Sequence, residues 1–392
     1  MSGDQAAALP PLAETGQKPF FSWLSVLALI YLLIVAVSVI GSGFKVALGT
    51  QANALFAFAT NPFLGLIVGT VATALIQSSS TTTSIVVGLV AGGLPVATAI
   101  PMIMGANIGT SITNTLVSAG HVADKEEFRR AFSAATVLDM FNLIAVMIFL
   151  PLEILFHPLE RLSLALGSVF VGEGSLSMKG LNFVGFATAP TAKLITGGTN
   201  FFPAPLNGIL QILLGIILIF FSIYYVGKLL KNLLVGKAKD ILHTAIGRGP
   251  LMGIASGTLM TILVQSSSTT TSLMVPLAGS GVFGLVEIYP FTLGANVGTC
   301  VTALLAATAV TGATALPALE IAVVHFLFNF LGVILIFGIP FLLGIQPLRQ
   351  LPVLGAEALA KAASEHKIVA LIYVIGVFFL LPAVCLGISL LF

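Results

Sequence analysis

Charge is the scarcest property of this sequence. Only 8% of its 392 residues are Asp, Glu, Lys or Arg, against about 25% in soluble globular domains. So little charge cannot cover a water-facing surface, and the soluble classes are excluded. With 57% hydrophobic residues, lipid is the solvent that fits, and there a spanning helix needs about 20 mostly apolar residues. The net charge of +2 is too small to suggest a nucleic-acid partner. The two cysteines, Cys300 and Cys385, lie in apolar context and in no CxxC or metal-like spacing. They read as small buried residues, and nothing demands an oxidising compartment or a bound cofactor. Residues 1–19 are polar and nearly free of basic side chains, so they lack the positive flank of a cleaved signal peptide.

What the chain has instead is apolar length. Apolar stretches cover about 20–44, 54–76, 81–119, 131–157, 205–227, 250–264, 269–309, 317–344 and 368–392. The run from Phe20 to Val39 reads as the first transmembrane helix. Lys228 to Arg248 carries four Lys and one Arg against one Asp, which the positive-inside rule places in the cytoplasm. Residues 158–204, rich in Gly, Ser and Thr, are then expected as a connecting loop on the opposite side. The 40 glycines fit helices that pack closely or break inside a membrane.

An internal repeat organises the chain. Residues 69–84 read GTVATALIQSSSTTTS and residues 257–272 read GTLMTILVQSSSTTTS, with twelve of sixteen positions identical. After one inserted residue the match resumes. Gly105-Ala-Asn107-Ile-Gly109-Thr110 pairs with Gly294-Ala-Asn296-Val-Gly298-Thr299, Thr113 falls opposite Thr302, and Phe141-Asn142 matches Phe328-Asn329. The expected division is a polar tail (1–19), repeat one (20–157), an extracytoplasmic connecting loop (158–204), repeat two (205–344) and a connecting segment with a final transmembrane helix (345–392). Each repeat reads as one crossing, one re-entrant hairpin around QSSS and two more crossings. Three is odd, so the second copy is expected inverted, as in many secondary transporters. The expected fold is an all-α, multi-pass integral membrane protein. Its two inverted-topology repeats carry re-entrant, discontinuous helices that meet at the membrane midplane.

Two runs of eight hydroxyl or amide side chains, Gln77 to Ser84 and Gln265 to Ser272, interrupt apolar segments. Back-bonding to the preceding helical turn explains one or two such residues. A helix that breaks at QSSS explains all of them, because irregular backbone is tolerated at that depth only where it lines a polar cavity. A new half-helix is expected at Thr81 and Thr269. Its free N–H donors and positive dipole end suit a tetrahedral oxyanion. Candidate anion contacts are Gln77, Ser78, Ser79, Ser80, Thr81, Gln265, Ser266, Ser267, Ser268 and Thr269. No Lys or Arg lies in either QSSS or GANxGT segment, so the anion needs another counter-charge. Sodium can supply it, bound by hard neutral oxygens of Gln77, Thr82, Thr83, Asn107, Thr110, Gln265, Thr270, Thr271, Asn296, Thr299 and Asn329. Each ion then offsets the other's desolvation penalty. Asp139, an acid deep in an apolar run with Asn142 one turn on, is a further sodium candidate. Phe326 takes its place in repeat two. His325 reads as a hydrogen-bonded structural residue, and Glu287 and Glu320 as interfacial residues. For the GANxGT glycines, close helix packing and a site role weigh evenly.

The doubled QSSS, each with its GANxGT-type segment, together with RRAFSAATVLDMFN (129–142) and HFLFN (325–329), resembles the type II sodium-dependent phosphate cotransporters over residues 20–392. The resemblance implies inverted-repeat carriers of inorganic phosphate and sodium in the plasma membrane, with the site at Gln77 to Thr83 and Gln265 to Thr271. It implies that Asp139 serves an extra sodium ion, hence electrogenic transport of divalent phosphate, and that both termini are cytoplasmic. Leu138 stands where the family often has His. The 158–204 segment lacks the cysteines and N-x-S/T sequons of animal members, as a bacterial (inner-membrane) member would. No cofactor beyond co-transported Na+ is implied. The expected partners are phosphate, sodium and membrane lipid, with oligomeric state open. The competing readings are symport of another tetrahedral oxyanion, a hydroxyl-lined channel, and an intramembrane serine hydrolase. The last lacks any His or Lys near QSSS in the chain and any Gly-x-Ser-x-Gly element.

Overall fold

Apolar runs in lipid must satisfy their backbone groups internally, and helices do so within one segment. The computed structural model describes residues 19–48, 61–171, 176–245, 249–380 and 384. Among these there is no strand. Residues 1–18 of the expected polar tail, and 381–383 and 385–392 of the last apolar run, with Cys385 among them, lie outside the described residues. Among the described residues six helical stretches are long and apolar enough to cross a membrane: Phe20–Ala47, Val96–His121, Lys125–Phe156, Leu206–Leu229, Leu285–Ala307 and Gly312–Leu342. The protein is an all-α integral membrane protein.

In chain order the first repeat holds α1 (Pro19–Leu48), α2 (Pro62–Ile76), α3 (Ser79–Gly92), α4 (Val96–Ile108), α5 (Ile112–Ser118) and α6 (Lys125–Phe156). Then come α7 (Pro158–Val171) and α8 (Leu176–Gly197). The second repeat holds α9 (Leu206–Ala245), α10 (Pro250–Val264), α11 (Ser267–Ser272), α12 (Met274–Gly279), α13 (Leu285–Ala307) and α14 (Ala315–Gly332). A π-helical turn (Val333–Gly338) leads into α15 (Ile339–Leu342), α16 (Gln346–Arg349), α17 (Leu351–Glu365) and α18 (Lys367–Ile375). The apolar stretch expected over 269–309 is therefore three helices: α11 and α12 meet at Leu273, and α12 parts from α13 where Gly281 takes φ +76°.

Local chemistry sets these ends. Asn61 caps α2 through Oδ1, which accepts from the Phe63 N–H at 2.9 Å, and Pro62 follows at the first turn. Asp124 Oδ1 accepts from the Glu127 and Glu126 N–H groups at 2.8 and 2.9 Å, which start α6 and hold that carboxyl below the ordinary aspartate value. Gly93, at φ +117°, ends α3 in the left-handed conformation that glycine takes without strain. His157 ends α6 in the same way at φ 50°.

The expected loop over 158–204 is largely two helices instead. Glu153 Oε2 accepts from the Leu159 N–H at 2.7 Å and Oε1 from the Glu160 N–H at 3.0 Å, which anchors the start of α7. Leu159 is fully buried, and α7 packs on α14. Gly and Ser content suggested a loop; an anchored N-terminus and one buried face outweigh it. The arrangement is reciprocal: α17, which follows repeat two, packs on α6 of repeat one. Likewise α12 packs on α6 while α3 packs on α14 and α13. The repeats interlock rather than sit side by side.

Glycines allow the tightest crossings. A Cβ on Gly69 would overlap the Met102 carbonyl oxygen, and one on Gly105 the Leu66 carbonyl oxygen. Gly257 meets Phe291, and Gly294 meets Ile254, in the same way. The same backbone approach thus joins α2 to α4 and α10 to α13, and packing accounts for the GANxGT glycines.

Candidate functional site

Both QSSS segments break their helices with the same geometry. Gln77 ends α2 at φ 57°, ψ 27°, and Gln265 ends α10 at φ 54°, ψ 27°, both left-handed and neither a glycine. Such conformations are costly for ordinary residues and cluster where function holds them. Ser78 (φ −150°, ψ 106°) and Ser266 (φ −154°, ψ 105°) then turn the chain and cap the next helix. Each Oγ accepts from the N–H three residues on, Thr81 or Thr269, at 3.2 Å. The half-helices therefore begin at Ser79 and Ser267, two residues before the expected Thr81 and Thr269, because the serines supply the cap. The N–H groups of Ser79, Ser80, Ser267 and Ser268 lie ahead of the first intrahelical bonds, which run from Thr82 to Ser78 and from Thr270 to Ser266.

Back-bonding consumes more hydroxyls than expected. Thr82 donates to the Ser78 carbonyl, Thr83 and Ser84 to Ser80, Thr270 to Ser266, Thr271 to Ser267 and Ser272 to Thr269. Thr110 and Thr299 donate to the carbonyls of Ala106 and Ala295, each at 3.0 Å. Their oxygens keep lone pairs for a cation while their protons are held. Ser79, Ser80, Ser267 and Ser268 are buried, and their hydroxyls make no hydrogen bond among the described residues.

The two breaks differ in one respect. Gln265 is half-buried and held twice: Nε2 donates to the Ile262 carbonyl at 2.6 Å and Oε1 accepts from Thr302 at 3.0 Å. Gln77 is exposed, and the hydroxyl of Thr113, the counterpart of Thr302, is buried without a partner.

A chain of amides ties the repeats together beside the breaks. Asn142 Nδ2 donates to the Asn107 carbonyl at 2.8 Å. Asn296 Nδ2 donates to Asn142 Oδ1 at 2.8 Å and to Asn329 Oδ1 at 2.7 Å. All four asparagines are buried. Four predicted ligands are thus brought together by hydrogen bonds, one of which, Asn296 to Asn142, crosses between repeats. A second crossing, Asn114 Nδ2 to Thr271 Oγ1 at 2.9 Å, fastens the second hairpin to α5.

Asp139, 1% exposed, lies one turn before Asn142. Its Oδ2 accepts from the Tyr373 hydroxyl at 2.9 Å. Its Oδ1 is buried and faces the hydroxyl of Ser111, but neither atom makes a hydrogen bond of good geometry. An unpaired carboxylate oxygen beside an unpaired hydroxyl is suitable donor chemistry for a small hard cation. His325 is fully buried, and both ring nitrogens lack partners, so it is not the hydrogen-bonded residue expected. It makes no hydrogen bond to a QSSS hydroxyl. Cys300 packs within the amide cluster, 3.4 Å from Asn329 Nδ2.

A family profile described as Na+/Pi-cotransporter matches residues 32–183 and 199–350, stretches that hold one QSSS break each. The chain belongs to the Na+/Pi-cotransporter family. Sodium-dependent phosphate transport protein 2A of Rattus norvegicus is 32% identical over 96% of this chain and 69% of its own length. Its Ovis aries counterpart is 33% identical over 93% of this chain and 67% of its own. Sodium-dependent phosphate transport protein 2B of Homo sapiens is 31% identical over 93% of this chain and 64% of its own. The chain therefore spans about two thirds of the length of these relatives. No solved structure matches it. Within this Na+/Pi-cotransporter, sequence reasoning missed Ser111, Asn114 and Tyr373. The first two lie in GTSITNT (109–115), a polar string after GAN, and Tyr373 is the one hydroxyl-bearing aromatic in the last apolar run.

Proposed function

We propose that this protein is a sodium-coupled symporter that carries inorganic phosphate into the cell across the plasma membrane by alternating access. The observation that carries the reading is the pair of matching left-handed breaks, each opening a hydroxyl-rich half-helix whose first N–H groups are uncommitted. Phosphate is held between the two half-helix starts at Gln77 to Thr81 and Gln265 to Thr269. Sodium is held by the neutral oxygens around the amide chain, namely Asn107, Thr110, Asn142, Asn296, Thr299 and Asn329, with Thr82, Thr83, Thr270 and Thr271 beside them. Neither half-helix brings a cationic side chain, so sodium provides the anion's counter-charge and the two ions bind together.

Asp139 takes an additional sodium, which makes the cycle electrogenic with divalent phosphate. Inversion of the repeats is supported by where the hairpins open. The end of the second hairpin's return arm, Gly279 to Gly281, touches His121 and Arg130 at the α5–α6 connection. The first hairpin's return arm lies near residues 312–314, at the α13–α14 connection. One span, Val96–His121 or Leu285–Ala307, separates each hairpin from that connection in its own repeat, so hairpins that reach each other's connection open at opposite ends, as inverted copies require.

The test is radiolabelled phosphate uptake by the purified full chain in liposomes. An inward sodium gradient should drive phosphate above its external concentration, and potassium should not replace sodium. Gln77→Ala and Gln265→Ala should each lower the rate more than about tenfold. Uptake that only relaxes to equilibrium would mean a channel. Sulfate carried as fast as phosphate would widen the substrate to tetrahedral oxyanions.

A further inference from the structure

At the end of α10 remote from Gln265, about 22 Å along the fifteen-residue helix, a cavity of about 230 Å³ opens between the starts of α10 and α13, the π turn with α15, and α16–α17. It belongs to neither break, and three kinds of hydrogen-bond donor bound it. The first is the α10 N-terminus. Gly249 occupies the position matched to Asn61, and where Asn61 caps α2 with its side chain, α10 has no side-chain cap. The second is Arg349, half-buried, with its guanidinium 5.9 Å from the Phe337 ring centre and 5.5 Å from that of Phe341. It donates to Gln346 at 2.8 Å, and among the described residues no carboxylate lies within 4 Å of it. The third is Tyr289, 2% exposed, whose hydroxyl is buried without a partner.

The acid on the cavity wall does not answer these donors. Glu287 Oε2 accepts from the Gly284 N–H at 2.8 Å and serves as the cap of α13. A cation without a counter-ion, an uncapped helix start and an unsatisfied phenol in one cavity call for an anion. The rest of the wall is apolar and aromatic: Val286, Phe337, Phe341 and Val353. Beside it Leu251 is 69% and Leu342 82% exposed, the surface that a membrane-embedded protein offers to acyl chains. An anion that also carries hydrocarbon matches both halves. The basic 228–248 segment directly precedes the cavity, where anionic headgroups concentrate.

We propose that this cavity binds the phosphate headgroup of an anionic lipid. Arg349 and the α10 N-terminus take the phosphate oxygens, Tyr289 donates a further hydrogen bond, and the acyl chains leave over the apolar rim. The site is separate from the transport site and does not depend on what the protein carries.

The test is native mass spectrometry of the full chain released from nanodiscs of phosphatidylcholine with a minor fraction of phosphatidylglycerol. The wild type should retain phosphatidylglycerol. Arg349→Gln and Tyr289→Phe should each lower that retention about tenfold, the weight of one charged or buried hydrogen bond, with phosphatidylcholine retention unchanged. Inorganic phosphate at millimolar concentration should not displace the lipid. Tyr289→Phe removes one oxygen and keeps the ring, so it reports even if Arg349→Gln disturbs folding. Undiminished retention in Tyr289→Phe, equal retention of phosphatidylcholine, or displacement by inorganic phosphate would each overturn the proposal, the last by making the cavity a free-anion site.

Discussion

Two contacts at the candidate site can be separated at the level of single atoms. Thr302→Val keeps the shape of the side chain but leaves Gln265 Oε1 without its donor at 3.0 Å. One neutral hydrogen bond contributes about 1 kcal/mol, so the sodium concentration for half-maximal uptake should rise about fivefold. Thr113→Val, whose hydroxyl has no partner, should change it little if Gln77 stays free throughout the cycle. An effect as large as that of Thr302→Val would mean that Gln77 takes up the matching bond in another state. Tyr373→Phe removes the single hydrogen bond to Asp139 while keeping ring contacts with Phe132 and Phe378. Its expected signature is altered voltage dependence with phosphate affinity preserved, whereas Asp139→Gly should abolish voltage dependence; transport current recorded at stepped potentials distinguishes them. The asparagines were legible in the sequence because a buried amide in an apolar run needs a reason. Tyr373 was not, because its partner is 234 residues away and only the packing of α18 reveals it.

At the level of helices, the same short segments serve two purposes. The QSSS breaks were legible as breaks, yet the half-helices start at Ser79 and Ser267 and most of the later hydroxyls bond back to their own helix. Composition marks where a helix stops, but the identity of the cap decides where the next one begins. The GANxGT segments lie against their hairpins so closely that Gly105→Ala or Gly294→Ala would force the Cβ into the Leu66 or Ile254 carbonyl oxygen. Overpacking of this kind costs about 1–3 kcal/mol. Both variants should melt at lower temperature and lose uptake together. Gly120→Ala, with no atom within 4 Å of the added carbon, should match the wild type in both. The 158–204 stretch was misread as a loop because its polar composition masks the anchoring of α7 by Glu153.

Across the whole molecule, the duplication was plain in the sequence, but the interlock was not. Periodicity and repeat offset locate the spans; they do not say that α7 lies on α14 and α17 on α6. That exchange binds the copies into one body, and the amide chain from Asn107 through Asn142 and Asn296 to Asn329 crosses its middle. Inversion predicts opposite exposure of matched hairpin ends. In a background with Cys300→Ala and Cys385→Ala, a membrane-impermeant maleimide should label Ala97→Cys only from outside the cell and Val282→Cys only from inside. Labelling of both from one side would mean that the repeats run parallel. The most direct test of joint ion binding is an equilibrium titration of phosphate onto the purified protein at increasing sodium. If twin half-helix starts without cationic side chains hold the anion, phosphate affinity should climb with sodium and vanish when potassium replaces it, with sodium affinity raised reciprocally by phosphate. Phosphate bound at full affinity without sodium would contradict the account.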